Sequence, residues 1–332
     1  MNKLTSNKAA PLVLLCLSVD IFLPVFNTSF NCAQISSLAL LFVLILQLIV
    51  VELLIKIDFK KILSVKYISF ALSIIMIINI GALFVRMERF YRFSSSEALP
   101  IWVILLLTVL LFIFTSSVNN DTLARAGGIA IAAILLSVLI LLFANINHSS
   151  ISRINYMSID VKKIGKAIID YMYFPVDILL YFCISEDDKI ASRRCLFTLL
   201  ISVSTISILI CVIRELVLGD SGDMMYLHTL ARLGGLSVFK RIEAIHIFVW
   251  ILAALIKLSA LFFTSANLLK SVKHSKKSTF VFCIVIWLAF VAVMYGVNLY
   301  WQKVIIQISG FLGAAIIILC CARKRAVNEK SF

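Results

Sequence analysis

Long apolar segments recur along the whole chain, separated by short polar stretches. Each has about twenty residues, which as a helix would cross roughly 30 Å of hydrocarbon. Apolar residues occupy every side of these segments, whereas transmembrane β-strands alternate apolar with polar positions. The α-helix is then the remaining structure that satisfies the backbone hydrogen-bonding groups in lipid. The predicted spans are 11–27, 35–56, 66–86, 98–117, 126–145, 164–184, 195–217, 243–266, 280–298 and 304–322.

The pattern predicts an all-α integral membrane protein with about ten transmembrane helices, in which residues 1–332 form a single transmembrane domain. The composition agrees, because 62% of the residues are hydrophobic, against roughly 45 to 50% in soluble domains. The first segment carries Asp20 and Pro24 and has no small-residue cleavage site. It is therefore interpreted as a retained span and not as a signal peptide.

The net charge of +14 raises the question of a nucleic-acid partner. The basic residues lie in short clusters at predicted helix ends instead of along one face, so we expect no nucleic acid and assign them to membrane lipid. With the N-terminus inside, the inner segments carry 18 of the 31 basic residues and the outer segments 11. This bias predicts that both termini are cytoplasmic.

Residue patterns that indicate catalysis or metal binding do not emerge. The eight cysteines form no CxxC pair and no Cys/His ligand spacing, so neither a metal site nor a disulfide framework is expected. A nucleophile with a base, a phosphate-binding glycine loop and paired catalytic carboxylates are also not recognisable. We therefore expect no enzymatic activity and no cofactor.

A polar stripe follows one face of the eighth span. Steps of three and four residues place its members together on a helix: Glu243, His246, Trp250, Ala253, Lys257, Ala260 and Thr264. Lys257 lies too deep for its side chain to reach either membrane surface, so its ammonium needs an internal acceptor. It is either part of a static ion pair or a group that couples a ligand, a proton or a cation. Glu243 and His246 are interpreted as a solvated rim.

Prolines interrupt the first and sixth spans close to acidic residues. Asp20 precedes Pro24, and Pro175 precedes Asp177. A proline inside a helix leaves a carbonyl unpaired and bends the chain, although many such prolines do no more than that. The second break lies five spans after the first, which fits a five-plus-five inverted repeat whose broken helices 1 and 6 build a central site. The candidate ligand-binding residues are Asp20, Pro24, Tyr173, Pro175, Asp177 and Lys257.

Two stretches resemble the spore germination permease family. The first is VFKRIEAIHIFVW at 238–250 with ALIKLS at 254–259, and the second is LPIWVI at 99–104 with DTLAR at 121–125. These permeases are the B subunits of nutrient germinant receptors, within the amino acid, polyamine and organocation transporter superfamily. The resemblance implies a permease-like domain of the LeuT type in a spore inner membrane or bacterial cell membrane. It also implies an A-type membrane subunit, a C-type lipoprotein and a small germinant, such as an amino acid, as partners.

Three functions remain open at this point. The chain could be a receptor subunit that binds a germinant in a central cavity and signals to its partners. It could be an amino-acid or solute permease coupled to protons through Asp20, Asp177 or His246. It could also be a structural subunit without a ligand, which is favoured by the missing glycine before Leu23 and Pro24, since a glycine would let bare backbone approach a ligand.

Overall fold

The computed structural model describes residues 4–22, 32–94, 100–154, 161–186, 189–219, 226–233, 242–270 and 276–329. Within them the helices are α1 Ser6–Phe22, α2 Ala33–Ile55, α3 Phe59–Leu63, α4 Lys66–Ser94, α5 Ile101–Ser116, α6 Asn120–Asn145, α7 Val161–Tyr171, α8 Val176–Ile184, α9 Lys189–Leu218, α10 Tyr226–Leu233, α11 Ile242–Lys270, α12 Lys276–Gly296 and α13 Leu299–Glu329. This part of the chain holds no strand, and its one β-bridge joins Leu4 to Ser185. Two short 3₁₀ turns, Ile146–His148 and Ile151–Arg153, follow α6.

Seven described helices are long and apolar enough to cross a membrane, namely α2, α4, α6, α9, α11, α12 and α13. The pair α7 and α8 would add an eighth span, bent by 41° at a short break. The predicted first and fourth spans correspond to α1 and α5, which have 17 and 16 residues. The prediction of an all-α, multi-pass integral membrane protein is confirmed.

Helix α4 lies in the core of the bundle and α9 at its periphery. Within the apolar stretch of each helix, 78% of the residues are buried for α4 and 22% for α9. α4 packs against α11, α12 and α13, whereas α9 packs mainly against α2. Both α2 and α9 present large apolar side chains outward, among them Phe42, Ile49 and Ile201. Lipid chains are the environment that suits such a surface.

The start of α1 is joined to the end of α8. The Leu4 amide donates to the Ile184 carbonyl at 2.8 Å, and the Glu186 amide donates to the Leu4 carbonyl at 2.9 Å. A salt bridge of 3.2 Å between Lys8 and Asp121 adds the start of α6 to the same end of the bundle. These contacts fix the position of α1, which carries Asp20 toward the centre.

Candidate functional site

The candidate site is built around the break between α7 and α8. Helix α7 ends at Tyr171, residues 172–175 are not helical, and α8 begins at Val176. Pro175 causes the interruption because it has no amide hydrogen and disfavours helical backbone in the residue before it. It occupies the N-cap position of α8, which places Asp177 in the first turn, where a carboxylate suits the helix dipole. The predicted interruption of the helix at Pro175 is confirmed.

Side-chain amides from two other helices donate to backbone carbonyls at the break and in the last turn of α7. Gln47 of α2 donates to the Tyr173 carbonyl at 2.7 Å. Gln307 of α13 donates to the carbonyls of Ile169 and Asp170 at 3.1 and 3.3 Å. An exposed carbonyl inside a bilayer would cost several kcal/mol. The two glutamines therefore stabilise the broken geometry.

A glycine of α13 lets that helix pass directly over the break. A Cβ atom added at Gly310 would overlap the carbonyl oxygen of Phe174, which belongs to the non-helical segment. Because both clashing atoms are fixed to backbone, neither could move aside by a rotamer change. The chain needs glycine here for close approach and not for an unusual backbone angle.

Lys257 of α11 reaches the centre of the bundle, where three acceptors bind its ammonium. The Nζ atom donates to Asp20 Oδ2 at 2.8 Å, to Asp177 Oδ2 at 2.7 Å and to the Cys16 carbonyl at 2.8 Å. The three side chains of the ion pairs are buried. An ammonium has three donors, and all of them are used. The structure thus brings together Lys257 and the two acids that the sequence singled out.

Asp20 also contacts two further side chains. The Tyr173 hydroxyl donates to Asp20 Oδ2 at 2.6 Å, and Arg86 Nη2 of α4 lies 3.6 Å from Asp20 Oδ1. Arg86 is not among the site residues predicted from the sequence, yet only 12% of its side chain is exposed. Its position at the end of an apolar span was the available signal.

Two acids and two bases form one buried charge network: Arg86, Asp20, Lys257 and Asp177. With every group ionised the network is formally neutral, which a low-dielectric interior requires. Three of its atoms are buried yet accept or donate no hydrogen bond among the described residues: Asp20 Oδ1, Asp177 Oδ1 and Arg86 Nη1. Unused hydrogen-bonding capacity of this kind is uncommon in a folded interior and needs an explanation.

The polar stripe of α11 forms the buried face of that helix. His246, Trp250, Lys257 and Thr264 are buried, whereas Phe248 on another side is 68% exposed. Glu243 lies at the rim, where it is 3.8 Å from Arg232. The interpretation of His246 as a rim residue is wrong, because only 4% of its surface is exposed. Tyr173 and Pro175 lie at the break, and Pro24 falls outside the described residues.

Replacing Tyr173 by phenylalanine should destabilise the protein, because Asp20 would lose a hydrogen bond of 2.6 Å. A hydrogen bond to a charged group contributes about 1.5 to 3 kcal/mol. Thermal unfolding of the purified protein measures the loss. Tyr67→Phe is the matched control, since Tyr67 is 87% exposed. Equal unfolding temperatures for the two variants would contradict the assigned role of the hydroxyl.

Other chemistry is not evident in the part of the chain that the structure describes. No group of three His, Cys, Asp or Glu side chains there could hold a metal ion. Comparison with protein-family models gives no match, and comparison with curated proteins gives none either. The resemblance to the germination permeases rests on the stretches quoted above, and the site is described by its own geometry: a neutral buried charge network that links α1, α4, α8 and α11 beside a broken helix.

Proposed function

We propose that this chain is the membrane subunit of a nutrient receptor of the germinant-receptor type, with a LeuT-type arrangement of ten spans and cytoplasmic termini. In this proposal the central site binds a small germinant such as an amino acid, and an A-type membrane subunit and a C-type lipoprotein receive the signal. One observation carries the proposal: a single lysine, Lys257, bridges Asp20 of α1 and Asp177 of the broken pair.

The bridge is suited to a switch because it links α1 to the start of α8, at the end opposite to the backbone hydrogen bonds between Leu4 and Ile184. Asp177 opens the half-helix α8, whose start is defined by the break. Any ligand group that competes for Asp177 or Asp20 would change how α8 sits against α1. A response also requires that the ligand bind one arrangement more tightly than the other. Ion pairs between ligand and protein that form in only one of the two arrangements would supply that difference in affinity.

An amino acid has the chemical groups that this network could accept. Its ammonium can bind Asp20 Oδ1 and Asp177 Oδ1, which accept no hydrogen bond among the described residues. Its carboxylate can bind the unused Nη1 of Arg86, since a guanidinium binds carboxylates through several donors. The same three atoms make a zwitterion a better candidate than an uncharged solute.

A proton-coupled permease of the same superfamily is the second candidate. The observation that favours it is the sharing of one ammonium by two carboxylates, since protonation of either acid would release part of the network. This candidate predicts that the chain alone accumulates solute in sealed vesicles when a proton gradient is imposed. The receptor proposal requires binding and no accumulation.

The proposal is tested by ligand-dependent unfolding temperatures, measured with a panel of amino acids and nucleosides on the purified protein. A ligand at about 100 times its dissociation constant stabilises by about 2.7 kcal/mol, which is several degrees. The shift should disappear in Asp177→Asn and persist in Asp121→Asn, whose carboxylate is exposed and pairs with Lys8. If no compound raised the unfolding temperature, binding by this chain would be contradicted and a structural subunit would be favoured. A structural role would also agree with the use of all three Lys257 donors within the protein.

A further inference from the structure

A polar cavity lies away from the charge network, between the end of α2 and the start of α9. Its volume is about 640 Å³. The side chains that matter for its chemistry are Glu52, Lys56, Lys189, Arg193, Arg194 and Phe197. The cavity is therefore lined by four cations and one carboxylate. Its place at the polar ends of two peripheral helices puts it at the level where lipid head groups begin.

One of the four cations is already paired. Arg193 Nε lies 3.0 Å from Glu52 Oε2, and its guanidinium stacks over the Phe197 ring at 5.4 Å from the centroid. These contacts hold Arg193 as part of the cavity wall. The ion pair with Arg193 also neutralises the negative charge of Glu52.

The remaining three cations, Lys56, Lys189 and Arg194, have no carboxylate within 4 Å among the described residues. Lys189 donates to the Lys56 carbonyl at 3.3 Å, which brings the two chain segments together. Lys189 is also the first residue of the 30-residue helix α9, so the positive end of that helix dipole faces the same region. Together these features favour an anion. Asp187 and Asp188 precede Lys189 in the sequence and lie outside the described residues.

Apolar surface extends from the cavity along both helices. Ile49 and Leu53 of α2 are 54% and 45% exposed, and Ile190 and Ile201 of α9 are 65% and 48% exposed. A soluble anion would use only the charged end of such a surface. A phospholipid would use both parts, because its phosphate is followed by acyl chains that run along the helices.

We infer that this cavity binds the head group of an anionic phospholipid, with the acyl chains lying against the exposed faces of α2 and α9. The predicted orientation places the site in the cytoplasmic leaflet, where basic pockets between transmembrane helices bind acidic head groups. Lys56, Lys189 and Arg194 bind the phosphate, and Arg193 positions the wall through Glu52 and Phe197. The inference uses the predicted orientation of the chain but rests neither on the central charge network nor on binding of a germinant.

Lipid binding to the purified protein tests the inference, with phosphatidylglycerol, phosphatidylcholine and inorganic phosphate as separate probes. Retained lipid is counted by native mass spectrometry after detergent exchange. We expect retention of phosphatidylglycerol over phosphatidylcholine, and about a tenfold or larger loss of affinity in Lys189→Gln/Arg194→Gln, since each basic residue near such a head group contributes about 1 kcal/mol. Both side chains are exposed, so the variant should fold normally.

The matched control is Lys66→Gln/Arg125→Gln, which removes two exposed charges predicted to lie at the same end of the bundle. It should retain phosphatidylglycerol like the parent protein. Equal loss in both double variants would overturn the inference, because general surface charge would then explain the binding. Competition by inorganic phosphate at concentrations similar to those of the lipid would also overturn it, because the site would then be one for soluble anions.

Discussion

Replacing Lys257 by methionine should lower the stability of the purified protein by roughly 3 to 5 kcal/mol, on the order of 10 °C in unfolding temperature. The reason is that Asp177, which is 1% exposed, would be buried without its 2.7 Å ion pair. The cost of burying Asp20 would rise less, since Arg86 still lies 3.6 Å from its carboxylate. Membrane insertion should not be impaired, because a span without a lysine at its centre partitions more easily into lipid.

The arrangement of the network provides a rescue experiment for the same substitution. Lys257→Met combined with Asp177→Asn leaves the neutral pair of Asp20 and Arg86, so much of the lost stability should return. The double-mutant cycle then gives a coupling energy of about 2 kcal/mol or more. Lys66→Met is the control, since Lys66 is exposed and should change stability by less than about 0.5 kcal/mol. If Lys257→Met were no more destabilising than this control, the network would contribute nothing to the fold.

Replacing Gly310 by alanine should be among the most damaging single-methyl changes in the chain. The new Cβ would overlap the Phe174 carbonyl oxygen, so α13 or the break between α7 and α8 would have to shift. Strain of this kind costs typically 1 to 3 kcal/mol and more where backbone must move. The yield of monodisperse protein and its unfolding temperature measure the effect.

Gly165 offers a comparison with the opposite expected sign. It lies within α7, and a Cβ added there would meet nothing within 4 Å. Gly165→Ala should therefore stabilise slightly, since alanine is favoured over glycine in a helix by up to about 1 kcal/mol. If the Gly310→Ala and Gly165→Ala proteins had the same unfolding temperature, the close contact between α13 and the break would be contradicted.

Hydropathy located the helical segments but made several of them too short. The predicted third span stops at residue 86, whereas α4 continues to Ser94. A window average ends a span where charges begin, yet Glu88 is 1% exposed and paired with Arg92 inside the continued helix. The predicted first span likewise begins at residue 11, although α1 starts at Ser6, because polar residues there are satisfied by α8 and α6.

The central charges were predictable because burial of an ionisable group is costly, and that cost singled out Asp20, Asp177 and Lys257. Their partners were harder to foresee. Gln47 and Gln307 could have been indicated by depth alone, since both lie within predicted apolar spans. The close approach of Gly310 to the break is a tertiary contact that no local pattern encodes. Two segments distant in sequence had to meet before that glycine acquired its role.

The neutrality of the buried network has an evolutionary consequence. Asp20, Arg86, Asp177 and Lys257 lie far apart in the sequence, but a loss of any one charge leaves another uncompensated inside the membrane. We therefore expect selection to remove single substitutions and to tolerate compensating pairs. Lineages that diverge from this chain would keep or lose Asp177 and Lys257 together, and Asp20 and Arg86 together, so the centre would change in coupled steps while the lipid-facing surface drifts one residue at a time.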